Sequence, residues 1–425
     1  MRKIVIIGNG ISGVTAARHL RKLGDDKILL ISDESDAFFS RTALMYVYMG
    51  HMKFEHTQPY EDGFWDQNKI ERVRGRVDKI DPTNKNLILA DKQTIDFDVL
   101  IIATGSIPNR YGWPGEHLQG VQGLYHKQDL EALEASTPKI DRAVIVGGGL
   151  IGVELAEMLV SRGKKVTFLV RETAFWNGVL PHEEASIIGD HIKKHGIDLR
   201  LSTELKEIIS DDNGSVAGVV THSGEQIPCQ WVGLAAGVSP NIGFLTKSAV
   251  ETDRGVLVDR HLKTNLPDIY AIGDCAQQRH PIEGRPSVEA VWYTGRIMGE
   301  TVAQTIMGMP KEYSPGQWFN SAKFFDIEYQ TYGRVRAQKQ KNEQHLYWSA
   351  NNKALRIAYD KSSLRMLGIH SLGIRLRHDC IDQWLNEGKA YEYVTKHLQE
   401  ALFDPELYRS PVKHIQQTFN TQVAV

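Results

Sequence analysis

Lys3 leads into Ile4-Val5-Ile6-Ile7, a short continuous apolar run of the kind that predicts a parallel strand buried on both faces. The turn Gly8-Asn9-Gly10-Ile11-Ser12-Gly13 follows, then helical spacing over 14–23, then a second buried strand over 27–31. Strand, glycine turn, helix and strand make one βαβ unit. The pattern recurs 139 residues later, where an apolar run over 143–146 enters Gly147-Gly148-Gly149-Leu150-Ile151-Gly152. A helix over 153–161 and a strand over 166–170 complete the second copy. This duplication is the most informative feature of the pattern.

Two further apolar runs, 98–103 and 268–272, close at the polar turns Thr104-Gly105-Ser106 and Gly273-Asp274. Between them 107–115 holds two prolines and two glycines, which predicts a crossing between domains. After Pro310 the period changes. Strands are expected over 324–335, 345–349, 354–359 and 364–371, with alternation such as Asp326-Ile327-Glu328-Tyr329-Gln330. Turns fall at Asn351-Asn352 and Asp360-Lys361-Ser362-Ser363, and a largely helical tail over 375–417 finishes the pattern. The expected fold class is α/β: two Rossmann-like dinucleotide-binding domains plus a C-terminal α+β domain.

A length of 425 residues is too great for one ordinary core and suggests about three domains. Fifty Lys plus Arg against fifty-two Asp plus Glu leave a net charge of −2, so a nucleic-acid partner has no electrostatic basis. Cys229, Cys275 and Cys380 lie far apart, without disulfide-scaffold or zinc spacing. No apolar run reaches membrane-helix length, so no integral membrane segment is expected. Met1-Arg2-Lys3 and the run after it imitate an export signal, but four apolar residues are too few. A cytoplasmic enzyme is expected.

A glycine turn of this type supplies a tight bend, a close backbone approach for a pyrophosphate, and close helix–strand packing. The diphosphate then sits on the positive end of the helix. Such a fold also wants an acid near the end of the second strand for ribose hydroxyls. Asp33 and Glu34 stand twenty and twenty-one residues beyond Gly13. In the second copy the strand runs into Arg171-Glu172. Arginine suits a 2′-phosphate and glutamate a 2′-hydroxyl, and the arginine leans the reading towards NADPH over NADH. His191 and His195 stand four apart on an expected helix, but no third ligand is visible along the sequence, so they read as a solvated face and no metal site is expected.

The first glycine motif, Ala103-Thr104-Gly105-Ser106, the run Gly147–Glu154, Ala236-Gly237 before Pro240-Asn241, and Tyr270-Ala271-Ile272-Gly273-Asp274 occur in one order. In that order and spacing the chain resembles the pyridine nucleotide–disulfide oxidoreductase superfamily, with its glutathione-reductase-like fold. The resemblance implies an FAD-binding domain over 1–112 and 240–315, an NAD(P)H-binding domain over 113–239, and a C-terminal cap and dimerisation domain over 316–425. It assigns Gly8, Gly10, Ile11, Ser12, Gly13, Asp33, Glu34, Arg41, Val77, Ala103, Thr104, Gly105, Gly273, Asp274 and Trp292 to FAD. Gly147, Gly149, Leu150, Ile151, Gly152, Arg171 and Gly237 go to the nicotinamide cosubstrate, NADH or NADPH.

Disulfide reductases of this superfamily need a CxxxxC or CxxC pair, and none exists here. The stretch Phe38-Phe39-Ser40-Arg41-Thr42-Ala43-Leu44 also lacks the single cysteine of the oxidase and coenzyme-A disulfide reductase branches. Cys275 is expected to pack as a small hydrophobe. The chain is most similar to ferredoxin, rubredoxin and nitrite reductase-like enzymes, which take hydride from NAD(P)H and pass electrons to an external acceptor, here a small ferredoxin- or rubredoxin-like protein. Arg41 keeps its place in their pattern, whereas their flavin-adjacent lysine is replaced by Tyr46. Glu154, which pairs with that lysine in relatives, then lacks a cation, and burying it uncompensated is costly. A Tyr46–Glu154 hydrogen bond or a partly protonated Glu154 is expected, with both residues taken as catalytic. Trp318-Phe319-Asn320-Ser321 departs from the relatives' Trp-x-Trp-Ser segment at Asn320. Three rival functions stay open: a quinone-reducing NADH dehydrogenase, against which charges such as Glu392, Lys396, Glu400 and Asp404 in the tail argue; an NAD(P)H oxidase; and a non-enzymatic NADH-sensing binding protein.

Overall fold

The apolar runs form parallel strands. In chain order they are β1 (Lys3–Ile7), α1 (Ile11–Leu23), β2 (Lys27–Ser32), β3 (Ile70–Arg74), β4 (Val99–Ile102), α2 (Lys127–Ser136), β5 (Arg142–Val146), α3 (Leu150–Ser161), β6 (Lys165–Leu169), α4 (His182–Lys194), β7 (Asp198–Arg200), β8 (Trp231–Leu234), β9 (Ile269–Ala271) and α5 (Trp292–Ile306). The C-terminal part adds β10 (Phe319–Phe324), β11 (Ile327–Gly333), β12 (Glu343–Ala350), β13 (Lys353–Asp360), β14 (Met366–Leu372), α6 (His378–Asn386), α7 (Tyr391–His397) and α8 (Val412–Val423). The structure is a computed structural model that describes residues 1–403 and 410–423.

Two compact units emerge, Met1–Tyr111 with Gln122–Lys139 and Gly237–Pro315, and Gly112–Val121 with Ile140–Ala236 and Gly316–Val425. In the first, a sheet of order β9-β4-β1-β2-β3 is parallel throughout. Ile4, Val5 and Ile6 are fully buried in it, as continuous apolar runs demand of strands covered on both faces. Helix α1 carries Arg21 and Lys22 in its last turn, where cations suit the negative end of the helix dipole. Helix α5 lies against α1 through small residues; a Cβ on Gly299 would stand 2.6 Å from the Ser12 carbonyl oxygen. This contact holds the N-terminus of α1 in place.

The second unit repeats the arrangement with β7-β6-β5-β8 in that order, all parallel. It also contains an antiparallel sheet of order β10-β11-β14-β13-β12. Its core of Trp348, Ile357 and Ile369 packs with Ile381 and Trp384 of α6, Val394 of α7, and Ile415 and Phe419 of α8.

The single strand expected over 324–335 is two strands. Phe325 adopts φ 57°, a left-handed conformation, and the chain reverses over Phe325-Asp326 so that Phe324 pairs with Ile327. A phenylalanine gives no turn signal, and the alternation begins only after the reversal. Among the described residues the tail forms three α-helices and a short helical turn at Leu398–Ala401. Its residues 404–409, Asp404 among them, lie outside the described residues.

Candidate functional site

In the first unit the chain leaves β1 at Gly8 with φ 112°, which L side chains rarely adopt, and a Cβ there would fall 2.1 Å from the Ala103 carbonyl oxygen. A Cβ on Gly13 would fall 2.0 Å from the Gly8 carbonyl, so helix and strand close up only without side chains. Gly10 differs: nothing lies within 4 Å of where its Cβ would be. It caps α1 without any side-chain hydrogen bond, and no acid occupies the first turn. The helix therefore presents free N–H groups and the positive end of its dipole beside open space. Gly273 and Gly295 both approach Ser12, with Cβ positions 2.4 and 2.6 Å from its hydroxyl oxygen. Ile11, Ser12, Gly273 and the start of α5 are thus brought together at one place.

Around this turn, Arg41 holds both oxygens of Glu34, at 2.8 and 2.5 Å, and also donates to the Tyr125 carbonyl. The Lys127 backbone N–H donates to Glu34 Oε1 at 2.9 Å, and His126 Nδ1 stands 3.6 Å from it. Burial would raise the Glu34 carboxyl, but His126, Arg41 and the Lys127 N–H outweigh it and bring it to about 2. Of the two candidate acids, Glu34 is therefore engaged and Asp33 is exposed. Asp274 is bonded by the Ser106 hydroxyl at 3.1 Å, and burial pushes its carboxyl above the ordinary range. Thr104 donates to the Asn241 carbonyl at 2.7 Å, and Gly105 takes φ 66° in the turn after Ala103. Trp292 and Tyr293 open α5 partly exposed rather than in the core. Tyr46 is half-buried on the short helix Leu44–Tyr48. Val77 places its side chain in the core, and its backbone pairs in register with Leu89. Gly237 takes φ 91° as the chain re-enters this unit. Tyr125 was missed by sequence reasoning, and Ser106 entered it only as the end of a turn motif. The Tyr125 hydroxyl accepts the Ser106 N–H at 3.1 Å and its ring lies 4.6 Å from the Arg41 guanidinium, across separations no local motif encodes.

The second unit reproduces the cradle almost atom for atom. Gly147 has φ 118°, with its Cβ position 2.3 Å from the Ala235 carbonyl; that of Gly152 lies 2.3 Å from the Gly147 carbonyl; that of Gly149 meets nothing within 4 Å. Gly149 caps α3, again without a side-chain hydrogen bond, and Leu150 and Ile151 begin the helix. At the end of β6, Arg171 is exposed and pairs with Glu172 at 3.0 Å. On α3, Glu154 is half-buried. Burial and the neighbouring Glu157 charge push its carboxyl up to about 7, the partly protonated state expected from the sequence.

These observations fit dinucleotides. Each turn leaves an uncapped helix N-terminus beside the one glycine whose Cβ position is empty, which is the space a diphosphate needs. In the first unit Asp274, held above its ordinary range, would gain from a further hydroxyl donor, as a ribityl chain offers. No thiol relay accompanies them. Cys229 and Cys275 are buried free thiols, Cys380 is half-buried, and burial pushes Cys229 up to about 12 and raises Cys275. Among the described residues no helix is long and apolar enough to cross a membrane.

The reading of His191 and His195 as a solvated face is corrected. His191 is buried and its Nε2 lies 2.5 Å from Asp326 Oδ1, so a third potential ligand exists. Asp326 comes from the unexpected hairpin turn, 135 residues downstream.

The sequence profile of the pyridine nucleotide-disulphide oxidoreductase family matches residues 2–304. The 5,5'-dehydrodivanillate O-demethylase ferredoxin reductase subunit of Sphingobium sp. is 33% identical over 334 residues, 77% of this chain and 81% of that protein. The rubredoxin-NAD(+) reductase of Ectopseudomonas oleovorans is 30% identical over 74% of this chain and 83% of its own. A crystallised ferredoxin reductase from Rhodopseudomonas palustris superposes with a TM-score of 0.80 at 24% identity, covering 88% of this chain and 91% of that one. At that identity the structural likeness establishes the fold alone.

Proposed function

The chain belongs to the pyridine nucleotide-disulphide oxidoreductase family, and from that premise we propose that it is the NAD(P)H-oxidising reductase of a small iron–sulfur redox protein. It is an FAD-dependent oxidoreductase that uses NAD(P)H. FAD, when bound, supplies the ability to accept two electrons together and release them singly. The nature of the acceptor is the proposed part. It is supported by the ferredoxin and rubredoxin reductases among the relatives. The observation that carries it is the duplicated cradle in a chain whose cysteines are scattered and mostly buried: two dinucleotides have places to bind, and no dithiol is available to take electrons onward.

In this reading the N-terminus of α1 binds one diphosphate through backbone N–H groups, Asp274 and the Thr104-Gly105 turn orient the adjoining chain, and Asp33 with Glu34 accepts ribose hydroxyls. The N-terminus of α3 binds the second diphosphate, and Arg171 and Glu172 compete for the ribose 2′ position. Glu154 holds a proton near neutral pH, and Tyr46 takes the place of the relatives' lysine. Hydride transfer itself asks for positioning more than for an acid or base, and correct placement supplies several kcal/mol. A cytoplasmic location completes the proposal, supported by cysteines that are all free.

The test is anaerobic reduction of the purified yellow protein by NADH and NADPH separately, followed by ferredoxin, rubredoxin and a soluble quinone as oxidants. Fast reoxidation by an iron–sulfur carrier supports the reading. Slow reduction with a long-lived complex, or turnover with quinone alone, would overturn it.

A further inference from the structure

His191 lies in the last turn of α4 and His195 caps its C-terminus, with the two rings 4.5 Å apart. The tip of the β10–β11 hairpin, within the same compact unit, brings Asp326 to them. His191 Nε2 lies 2.5 Å and His195 Nε2 3.8 Å from Asp326 Oδ1, and the three potential ligand atoms all fall within 4.8 Å of one another. His195 also has an outer partner. His195 Nδ1 is 3.0 Å from the His191 carbonyl oxygen, which requires the proton on Nδ1 and turns the Nε2 lone pair towards Asp326. The His195 ring stacks on Phe325 at 4.1 Å, so its orientation is held from two sides. His191 is buried, and its Nδ1 has no partner.

From this geometry we propose that His191, His195 and Asp326 form a binding site for a borderline divalent transition-metal ion of the Zn²⁺ or Co²⁺ type. Two imidazoles and one carboxylate are a donor set such ions favour over Mg²⁺ or Ca²⁺, which take oxygen ligands. Tetrahedral coordination at about 2.0–2.2 Å per bond separates ligand atoms by about 3.3 Å. The separations of 2.5 and 3.8 Å straddle that value, and Asp326, at an exposed tip, is the group free to adjust. On coordination the proton that His191 Nε2 donates to Asp326 passes to the unpartnered Nδ1, and no net charge or redox change is needed at the protein. The fourth position is open to water. The ion would join helix α4 of the parallel sheet to the antiparallel C-terminal sheet, closing a loop of more than a hundred residues.

The test uses the flavin-loaded full chain after dialysis against a chelator. Co²⁺ is expected to bind at one equivalent per chain with the intense visible bands of a tetrahedral site, and Zn²⁺ to displace it. Saturating Zn²⁺ should raise the thermal midpoint by a few degrees. H195Q and D326N, at half-buried and exposed positions, should keep the flavin and fold yet weaken Co²⁺ binding at least tenfold. A His191–Asp326 ion pair acting alone would instead lower the midpoint of D326N with no response of the natural chain to Zn²⁺. That result, absence of saturable one-to-one uptake, or uptake unchanged in both variants would overturn the proposal.

Discussion

Arg41 grips Glu34 with two nitrogens on two oxygens, at 2.8 and 2.5 Å, beside the glycine turn of the first βαβ unit. The fork geometry suits a carboxylate as lysine's point charge would not. Glu34 is lowered from 4.5 to about 2 in the folded chain. The stability this contributes is full above the unfolded value and is lost as pH falls through the folded one. Natural protein and E34Q should therefore differ by about 2–3 kcal/mol above pH 5 and converge as pH drops towards 2. Urea unfolding at a series of pH values reads this directly.

Glu154 predicts the opposite slope. Its carboxyl is raised to about 7, so the folded chain holds a proton that the unfolded chain has released above 4.5. Stability then falls as pH rises from 4.5 to about 7 and levels off beyond. E154Q removes the loss, and above pH 7 it should exceed the natural chain by about 1–2 kcal/mol, the full shift being discounted for the solvent contact that Glu154 keeps. Parallel pH-dependent denaturation of the two proteins checks the sign.

The two glycine cradles separate folding from binding. G147A forces a side chain onto the Ala235 carbonyl at positive φ and should cost about 3 kcal/mol or more. G149A adds a methyl group to open space and should fold normally. It should raise KM for NAD(P)H about tenfold or more by occupying the room a diphosphate needs. Flavin content should be unchanged in G149A, because its own cradle is untouched.

In the proposed reading Arg171 and Glu172 face the ribose 2′ position of the cosubstrate, and substitution divides NADPH from NADH. R171A should raise KM for NADPH about tenfold and leave NADH nearly unchanged, because only the 2′-phosphate needs the cation. Equal losses with both cosubstrates would move the ribose site elsewhere.

Cysteine accessibility tests the absence of a thiol relay. With Cys229 and Cys275 buried, native protein should take up at most one alkyl group, at Cys380, and keep its NAD(P)H-dependent activity. Mass spectrometry after iodoacetamide treatment counts the labels, and loss of activity tracking a second label would contradict the expectation.

The βαβ repeats were legible because their determinants are local: strands covered on both faces are continuously apolar, and the bends at Gly8 and Gly147 lie next to them. Asp274 and Arg41 were legible as residues, but only through resemblance. Their partners were not. Ser106 reaches Asp274 across 168 positions and Tyr125 reaches Arg41 across 84, and no spacing rule spans such distances. The histidine pair failed for a compound reason. Its third member sits on a turn that begins with Phe325, a residue that announces continued strand rather than reversal. Missing the turn concealed Asp326.

The first parallel sheet closes with β9, which joins β4 only after more than 160 intervening residues, whereas β5 to β8 come from one uninterrupted stretch. As the ribosome feeds the chain out from its N-terminus, β1 to β4 emerge with an unpaired edge awaiting a strand not yet made. The inserted sheet, synthesised later, has all its members sooner. The order of birth and the order of completion are thus reversed, and truncation before Ile269 should strand the older sheet with one flank bare while leaving the younger one whole.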